Sequence, residues 1–177
     1  MRDISEDLRF ISATIDANLR YAESKHATFV AFNGLATFGG FGLLRNIGQN
    51  SNEPAVYILL SVAVCLLICA LLISMYSFIP VIIHKKAVSD ATSSCNALFF
   101  EQVKLHSAES YERLLCEQYQ ADPASITPLD RCVISQLIVN AHLASRKFAL
   151  FKRAIMFDMA ALAFALVGAI IVLVLRG

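Results

Sequence analysis

Three stretches of the chain carry almost no charge and are long enough to cross a lipid bilayer. They are residues 27–44, 55–83 and 154–175, and the only charged side chain within them is Asp158. About 20 apolar residues in a helix span the hydrocarbon core of a bilayer, so the pattern predicts three transmembrane helices. The first stretch is diluted by glycine and polar residues, and its alternative is a buried core helix. The second would measure about 43 Å as one helix, so it must tilt or protrude, and we expect Pro80 to kink it near its end.

The residues before the first apolar stretch form an amphipathic pattern. Their apolar side chains recur at intervals of three and four, which is the spacing of one helix face. Since no glycine or proline interrupts them, a helix is predicted to run from this segment directly into the first span. The segment is acidic and lacks a small-residue cleavage site, so we expect the first span to be retained rather than removed as a signal peptide. The apolar face consists of Leu8, Ile11, Ile15, Leu19 and Ala22.

The clearest turn of the chain lies between the second and third apolar stretches. Thr127 is a residue type of helix N-caps, Pro128 suits the first helical position, and Asp130 complements the helix dipole at the third. Helical spacing then continues without glycine or proline into the third span, which predicts one helix of about 48 residues, roughly 70 Å long. Upstream of the turn, a further helix is indicated by the spacing of Phe99, Val103, His106, Ser110 and Leu114.

Together these patterns predict an all-α membrane protein with three transmembrane helices continuing into a cytoplasmic helical bundle. The predicted parts are a cytoplasmic amphipathic helix over residues 1–26, a transmembrane hairpin over 27–84, a cytoplasmic helical sensor region over 85–153 and a last span over 154–177. A rigid helix shared by two compartments can transmit rotation or tilt between them. The alternative is a static bundle in which the long helices complete one another's cores.

Composition supports a lipid environment, and local charge orients the helices. Hydrophobic residues make up 57% of the 177 and charged residues 16%, with a mean hydropathy of +0.61, well beyond an ordinary soluble domain. The net charge of +1 provides no basic field for DNA or RNA. Of the 15 Lys and Arg, thirteen lie within residues 1–26 and 84–153, and two lie elsewhere. The positive-inside rule therefore places the N-terminus in the cytoplasm and the C-terminus outside.

No catalytic or metal-binding motif stands out. The glycines from Gly34 to Gly42 fit neither dinucleotide nor phosphate-loop spacing and lie inside an apolar stretch. The five cysteines, at positions 65, 69, 95, 116 and 132, form no C-x-x-C pair and are expected to be small apolar fillers. The four histidines have no ligand spacing, and the pairs His106-Ser107 and Asp130-Arg131 are expected to be solvated or interfacial. We therefore predict a non-enzymatic protein with no metal and no cofactor.

A series of short motifs follows one another along the chain. Tyr21-Ala-Glu-Ser-Lys25 leads into Ala31-Phe-Asn33-Gly34, and the long apolar hairpin follows. Next come Phe99-Phe-Glu-Gln-Val-Lys104 and Ser107-Ala-Glu-Ser-Tyr111, and Asn140-Ala-His-Leu-Ala-Ser-Arg-Lys147 precedes the last span. In order and spacing this series resembles the transmembrane effectors of Pycsar antiphage systems, over roughly residues 15–175.

The resemblance implies a two-gene bacterial defence system, in which a partner cyclase makes a cyclic pyrimidine mononucleotide, cUMP or cCMP, during phage infection. The effector in the inner membrane is then expected to bind this ligand, impair the membrane and cause abortive infection. The alternative is a constitutive small membrane scaffold, or a channel- or transporter-like protein, without a nucleotide ligand. The unbroken helix from cytosol to membrane favours the effector.

A cyclic nucleotide carries one phosphate charge and a flat base, so its pocket needs cations, an amide and an apolar or aromatic floor. Asn140 lies at a spacing predicted to be buried, where an unpaired amide would cost about 1–3 kcal/mol, and its alternative role is a hydrogen bond between helices. Basic residues near the third span equally suit a position above the lipid headgroups. The candidate ligand-binding residues are Tyr21, Lys25, Lys104, Arg131, Asn140, Arg146 and Lys147.

Asn33 and Asp158 are the polar residues at or near lipid depth, and they are candidates for lining a polar path. The alternative for Asp158 is an ion pair with Arg153 or Lys152. Small residues at positions 36 and 40, and at 161, 165 and 169, recur at the four-residue spacing that lets membrane helices approach. Because three spans are too few to enclose a wide path, we expect a homo-oligomer. The alternative is that these small residues pack the spans of one chain.

Overall fold

The structure is a computed structural model that describes residues 4–50, 54–79 and 98–176, with side chains over 4–48, 54–79 and 98–174. These described residues are mostly helical and contain no strand. Three of the helices each hold a segment long and apolar enough to cross a membrane, which confirms the predicted fold class. The helices are α1 (Ile4–Asn50), α2 (Pro54–Tyr76), α3 (Phe100–Val103), α4 (Ala108–Tyr119) and α5 (Pro128–Arg176), with a 3-10 turn at Pro123–Ser125.

The described chain divides into two compact units. The polar unit contains the described residues up to Glu23 and those from 98 to Phe148, and the membrane unit contains those from Ser24 to Ile79 and from Ala149 onward. As predicted, α1 and α5 are each one unbroken helix, and each contributes residues to both units. The assignment of the two units to cytoplasm and bilayer stays a prediction.

The core of the polar unit is built from one face of each of its helices. The apolar face predicted for α1 is buried, apart from the partly exposed Leu19. The largest fully buried side chain in the core of the polar unit is Tyr111 of α4. The core consists of Ile4, Leu8, Ile11, Ile15, Val103, Tyr111, Leu114, Leu115, Ile126, Ile134, Leu137, Ile138 and Ala141.

The start of α5 has the predicted cap. The N–H of Asp130 donates to Thr127 Oγ1 at 3.2 Å, and the N–H of Thr127 donates to Asp130 Oδ2 at 2.9 Å. The hydrogen bond from the Thr127 hydroxyl holds the pKa of the Asp130 carboxyl below its usual value, with smaller support from Ser5 and Arg9 of α1. Asp130 was expected to be solvated or interfacial, and the structure excludes the solvated position, because the carboxyl is buried and the cap and α1 satisfy its oxygens inside the fold.

The helix predicted through Phe99 and Leu114 is in fact two helices. The helix α3 ends at Val103, and α4 begins after Ser107, whose Oγ accepts a hydrogen bond from the N–H of Ser110 at 3.1 Å. A serine N-cap favours a helix start over continuation of the preceding helix. The break places His106 in the interior, with its Nδ1 3.1 Å from Ser110 Oγ, so the solvated alternative is excluded for His106 as well. Burial lowers the pKa of His106, which favours its neutral form.

The helix α2 is shorter than the apolar stretch that contains it. The helix predicted to continue to residue 83 ends at Tyr76, and residues 77–79 form a turn whose N–H groups donate three residues back. Pro80 accounts for this end, because it has no N–H to donate and the residue before a proline avoids the helical conformation. The predicted continuation over 80–83 lies outside the described residues. With 23 residues, α2 is about 35 Å long, close to the thickness of the hydrocarbon core.

The cysteines occupy other places than expected. Cys65, Cys69 and Cys132 are exposed and Cys116 is partly buried, so the three exposed thiols do not fill a core of the chain. Cys95 lies outside the described residues. The two thiols of α2 belong to the membrane unit, where an exposed small apolar side chain suits a lipid surface.

Candidate functional site

Two polar contacts join α1 to α5 in the polar unit. Asn140 Nδ2 donates to Asp16 Oδ1 at 2.7 Å, and Lys147 Nζ forms an ion pair with Glu23 Oε1 at 2.7 Å. On both helices the two contact positions are seven residues apart, which is the heptad repeat of parallel helices that pack along their length. Asn140 Oδ1 also accepts a hydrogen bond from Gln136 Nε2 at 3.0 Å. Asn140 therefore makes the hydrogen bond between helices that was its alternative role.

A second polar cluster surrounds Lys104, directly after α3. Its Nζ pairs with the carboxylate of Glu101 and lies 2.7 Å from Ser145 Oγ. Burial would raise the pKa of Glu101, but its hydrogen bonds with Lys104 and Ser145 lower the pKa below the usual value. Burial, together with the positive charge of Lys104, lowers the pKa of His142. The charge of Lys104 is thus compensated by a carboxylate within the fold.

An aromatic row lies in the same unit. Phe148 stacks on Phe100 with ring centroids 5.4 Å apart and planes at 21°, and its centroid is 6.5 Å from that of Tyr21. Phe99 extends the row, with its centroid 5.3 Å from that of Phe100. Tyr21 and Phe99 are exposed on their outer sides. Exposed aromatic faces of this kind can stack against a planar base.

Arg131 borders an open cleft between α4 and α5. Its Nε lies 3.3 Å from Glu112 Oε2 and one of its terminal nitrogens donates to Glu112 Oε1 at 3.3 Å, so the pair is bidentate. The cleft has a volume of about 430 Å³, within the range of small-ligand sites. It is lined by Ala108, Glu109, Glu112, Arg113, Arg131, Ile134 and Ser135.

The structure does not bring all the candidate ligand-binding residues into one site. Lys25 belongs to the membrane unit, where its Nζ lies 5.6 Å from the ring centroid of Phe151. Arg146 is partly buried on α5. Lys104, Arg131 and Lys147 are each paired with a carboxylate, at three separate positions of the polar unit. In the described ranges no three His, Cys, Asp or Glu side chains lie together in a way that would hold a metal ion.

In the membrane unit, Asp158 lines an apolar cavity of about 540 Å³. The small residues Ala36, Gly40 and Ala161 also line it, whereas Asn33 is fully buried and does not. Within the described part of the chain, Asp158 forms no ion pair with Arg153 or with Lys152. Asn33 and Asp158, the two candidates for lining a polar path, therefore do not line this cavity together.

The whole length of the chain decides its family. A family model described as PycTM, the Pycsar effector protein domain, matches residues 7–175, which include the apolar parts of all three candidate spans. The chain belongs to the Pycsar effector family. No curated protein and no solved structure is similar enough to match. The resemblance found in the motifs is confirmed, and the protein is a multi-pass membrane effector of antiphage defence.

The Pycsar effector has site residues that sequence reasoning missed. Arg113 follows Glu109 by four residues on α4, a spacing that signals one helix face, and this signal was available in the sequence. The acidic partners of Asn140 and Lys147 gave no such signal, because each lies 124 residues away along the chain. The other residues that the structure adds are Phe100, Phe148 and Ser135.

Proposed function

We propose that this Pycsar effector binds a cyclic pyrimidine mononucleotide, cUMP or cCMP, in its polar unit and in response impairs the inner membrane without catalysing a reaction. Family membership supports the defence role. The observation that carries the ligand site is the cleft beside Arg131, which combines two guanidinium groups with a volume of about 430 Å³. A second guanidinium, that of Arg113, lines the same cleft.

The ion pair between Arg131 and Glu112 makes this cleft the favoured site. The Arg131 side chain is 60% exposed, and exposed ion pairs contribute only about 0–1 kcal/mol, so a phosphate can displace Glu112 at low cost. A guanidinium also matches the geometry of a phosphate with two parallel hydrogen bonds. By contrast, the Lys147 side chain is 13% exposed, and an anion there would break a more buried contact. Ser135 lines the cleft as well and adds a polar side chain to its wall.

We expect Arg131→Ala to weaken binding of the activating nucleotide at least tenfold. Hydrogen bonds to charged groups contribute about 1.5–3 kcal/mol, and 1.4 kcal/mol is a tenfold change in affinity. The measurement is calorimetry on the full chain in detergent, with cUMP, cCMP, cAMP and cGMP as ligands.

The matched control is Arg20→Ala, which removes an exposed arginine of the same unit outside the cleft and should leave affinity unchanged. The double variant with Arg146 and Lys147 both changed to alanine tests the alternative site beside the aromatic row. If only the double variant loses binding, the ligand site lies there instead. If wild-type protein binds none of the four nucleotides while folded, the constitutive scaffold or channel becomes the better explanation.

We also propose that the effector acts as a homo-oligomer. Moving a two-state equilibrium from 1:99 to 99:1 requires the ligand to bind the active state about 10⁴-fold more tightly than the inactive state, a difference of about 5.5 kcal/mol. One small pocket has difficulty supplying such a difference alone. Several coupled pockets share that requirement. The unbroken helices α1 and α5 support coupling within each copy, because each contributes to both units.

Mass measurement in nanodiscs should therefore find several copies per particle, and Ala165→Leu should reduce that number. Ala165 lines the cavity that contains Asp158 and a second apolar cavity of about 430 Å³ in the membrane unit, and it is only partly buried, so a larger side chain there alters a surface available to a neighbour. Ala163→Leu, at a position of the same helix that lines neither of these cavities, is the control for added bulk. A monomer at every concentration that still kills cells would contradict the oligomer.

A further inference from the structure

Four polar side chains are buried inside the membrane unit without a hydrogen-bond partner among the described residues. They are Asn33 and Thr37 of α1, Ser74 of α2 and Ser77 in the turn that follows it. Asn33 is 0% exposed, and neither its Oδ1 nor its Nδ2 has a partner. Inside a bilayer such groups are costly, because no water is present to replace the missing hydrogen bonds. We call these four residues the polar seam.

The contacts between α1 and α2 give the level of each member of the polar seam along α1. Gly48 lies against Tyr57, Gly40 against Val64, and the His26 ring is 6.2 Å from the Phe78 ring, so the two segments run antiparallel. In this register Ser77 and Ser74 are level with α1 positions between His26 and Asn33. The four residues then extend over about ten residues of α1, or roughly 15 Å, which is half of the hydrocarbon thickness.

Both ends of the polar seam are closed. At one end, the His26 ring packs edge-on against Phe78 and against Phe151, whose centroid is 5.3 Å away. At the other end, Gly40 is buried so tightly against α2 that a Cβ added there would lie 2.6 Å from Val64 Cγ2. The seam is therefore occluded at both ends by protein side chains, and its polar groups, which have no partner in the described part of the protein, gain hydrogen bonds in any state in which water enters.

We propose that the polar seam is one half of a latent path for water and protons through the membrane unit, closed by the contact of Gly40 with Val64 at one end and by the rings around His26 at the other. When α1 and α2 separate, from the His26 rings past the Gly40 contact to the end of α1, water satisfies the amide and hydroxyl groups and protons pass along the hydrogen-bonded water. Each O–H bond that forms along the water chain is matched by one that breaks, every proton that enters at one end is matched by one that leaves at the other, and no bond between two heavy atoms changes. This inference deepens the proposed function, since it names the route by which the effector impairs the membrane, and it rests on that function only for its trigger.

The test is a wedge placed at the closing contact. Gly40→Ala adds a Cβ that would lie 2.6 Å from Val64 Cγ2, so the valine side chain or α2 as a whole must shift. Purified full-length protein in phosphatidylethanolamine and phosphatidylglycerol vesicles, with a pH-sensitive dye inside and no nucleotide added, should then show at least tenfold faster proton leak than wild type. Gly39→Ala is the matched control, because the same change of residue type meets nothing within 4 Å. Gly40→Ala combined with Val64→Ala removes the clash and should return the leak toward the wild-type rate.

A second set of variants checks that the seam itself conducts. In the Gly40→Ala background, Asn33→Leu and Ser74→Ala should abolish the leak, because they remove the groups that hold water. In the otherwise unchanged protein the same two substitutions should raise the melting temperature, since they remove polar groups without partners. Thr37→Val, which is nearly isosteric, is the milder variant if Asn33→Leu does not fold.

The outcomes separate this inference from the proposed function. Leak equal in Gly40→Ala and Gly39→Ala, or leak that persists after the seam is made apolar, overturns the seam even if a nucleotide activates the protein. A lower melting temperature for folded protein with Asn33→Leu and Ser74→Ala also overturns the seam, because it means that these polar groups are stabilising where they lie. Conversely, a leak that follows the wedge as expected supports the seam, even if no cyclic nucleotide binds.

Discussion

Tyr111→Ala should unfold the polar unit while leaving the membrane unit helical. Tyr111 is the largest fully buried side chain of the core that α1, α3, α4 and α5 share. Truncating a large aromatic residue in a core costs about 3–5 kcal/mol, which is comparable with the whole stability of many small domains. The core of the polar unit has few other large side chains to fill the cavity, because its remaining members are mostly leucine and isoleucine.

Hydrogen exchange on the full chain in detergent measures the two units separately. Peptides from α4 should lose protection by two orders of magnitude or more, whereas peptides from α2 should keep theirs. Tyr21→Ala is the matched control within the same unit, because Tyr21 is 55% exposed and its loss should change protection little. Unchanged protection of α4 in Tyr111→Ala would contradict the core as described.

A reporter placed at either end of α5 should give an all-or-none readout of orientation. Alkaline phosphatase fused after Gly177 should be active, and a fluorescent protein fused there should be dark. The reason is that thirteen of the 15 Lys and Arg lie in residues 1–26 and 84–153, which retains these two segments in the cytoplasm and leaves the C-terminus outside. Because the number of candidate spans is odd, we expect the two ends of the protein to lie on opposite sides of the membrane. The expected difference exceeds any effect of a single substitution.

The internal control is a fluorescent protein inserted after Ala124, in the exposed 3-10 turn before α5. This fusion should fluoresce, since the turn belongs to the segment predicted to be cytoplasmic. Fluorescence of the Gly177 fusion, together with a dark Ala124 fusion, would reverse the orientation and would exclude a cytosolic nucleotide as the ligand of the polar unit.

Features that depend on neighbouring residues were predictable. The cap of α5 follows from Thr127 and Asp130, three positions apart, and the structure has both hydrogen bonds. The apolar face of α1 follows from its spacing. The break before α4 also had a local signal, since Ser107 is an N-cap residue type, but the apolar spacing from Val103 to Leu114 concealed it. The left-handed backbone of Gln120, with φ of 50°, ends α4 without the glycine that usually marks such a position.

The candidate ligand site was predictable only in its residue types. Arg131 was selected for its charge, and the structure adds the cleft, its partner Glu112 and the second arginine. Tyr21 was selected as an aromatic, and the structure adds the stacked rings of Phe100 and Phe148. The type of a side chain limits what it can bind, but a pocket forms only where helices that are distant in sequence pack together.

The sequence by itself determined three membrane-length helices, their continuation into a polar helical part, and the family, because hydrophobic period, helix caps and the order of motifs are properties of the chain as written. Only the tertiary structure decided that Asn140 donates a hydrogen bond to Asp16, that Gly40 packs against Val64, and that Asn33 is buried without a hydrogen-bond partner among the described residues. The physical reason is that helix formation is governed by contacts within a turn or two. The partner of a side chain, by contrast, depends on which helices pack together and in which register, and Asp16 and Asn140 are 124 residues apart.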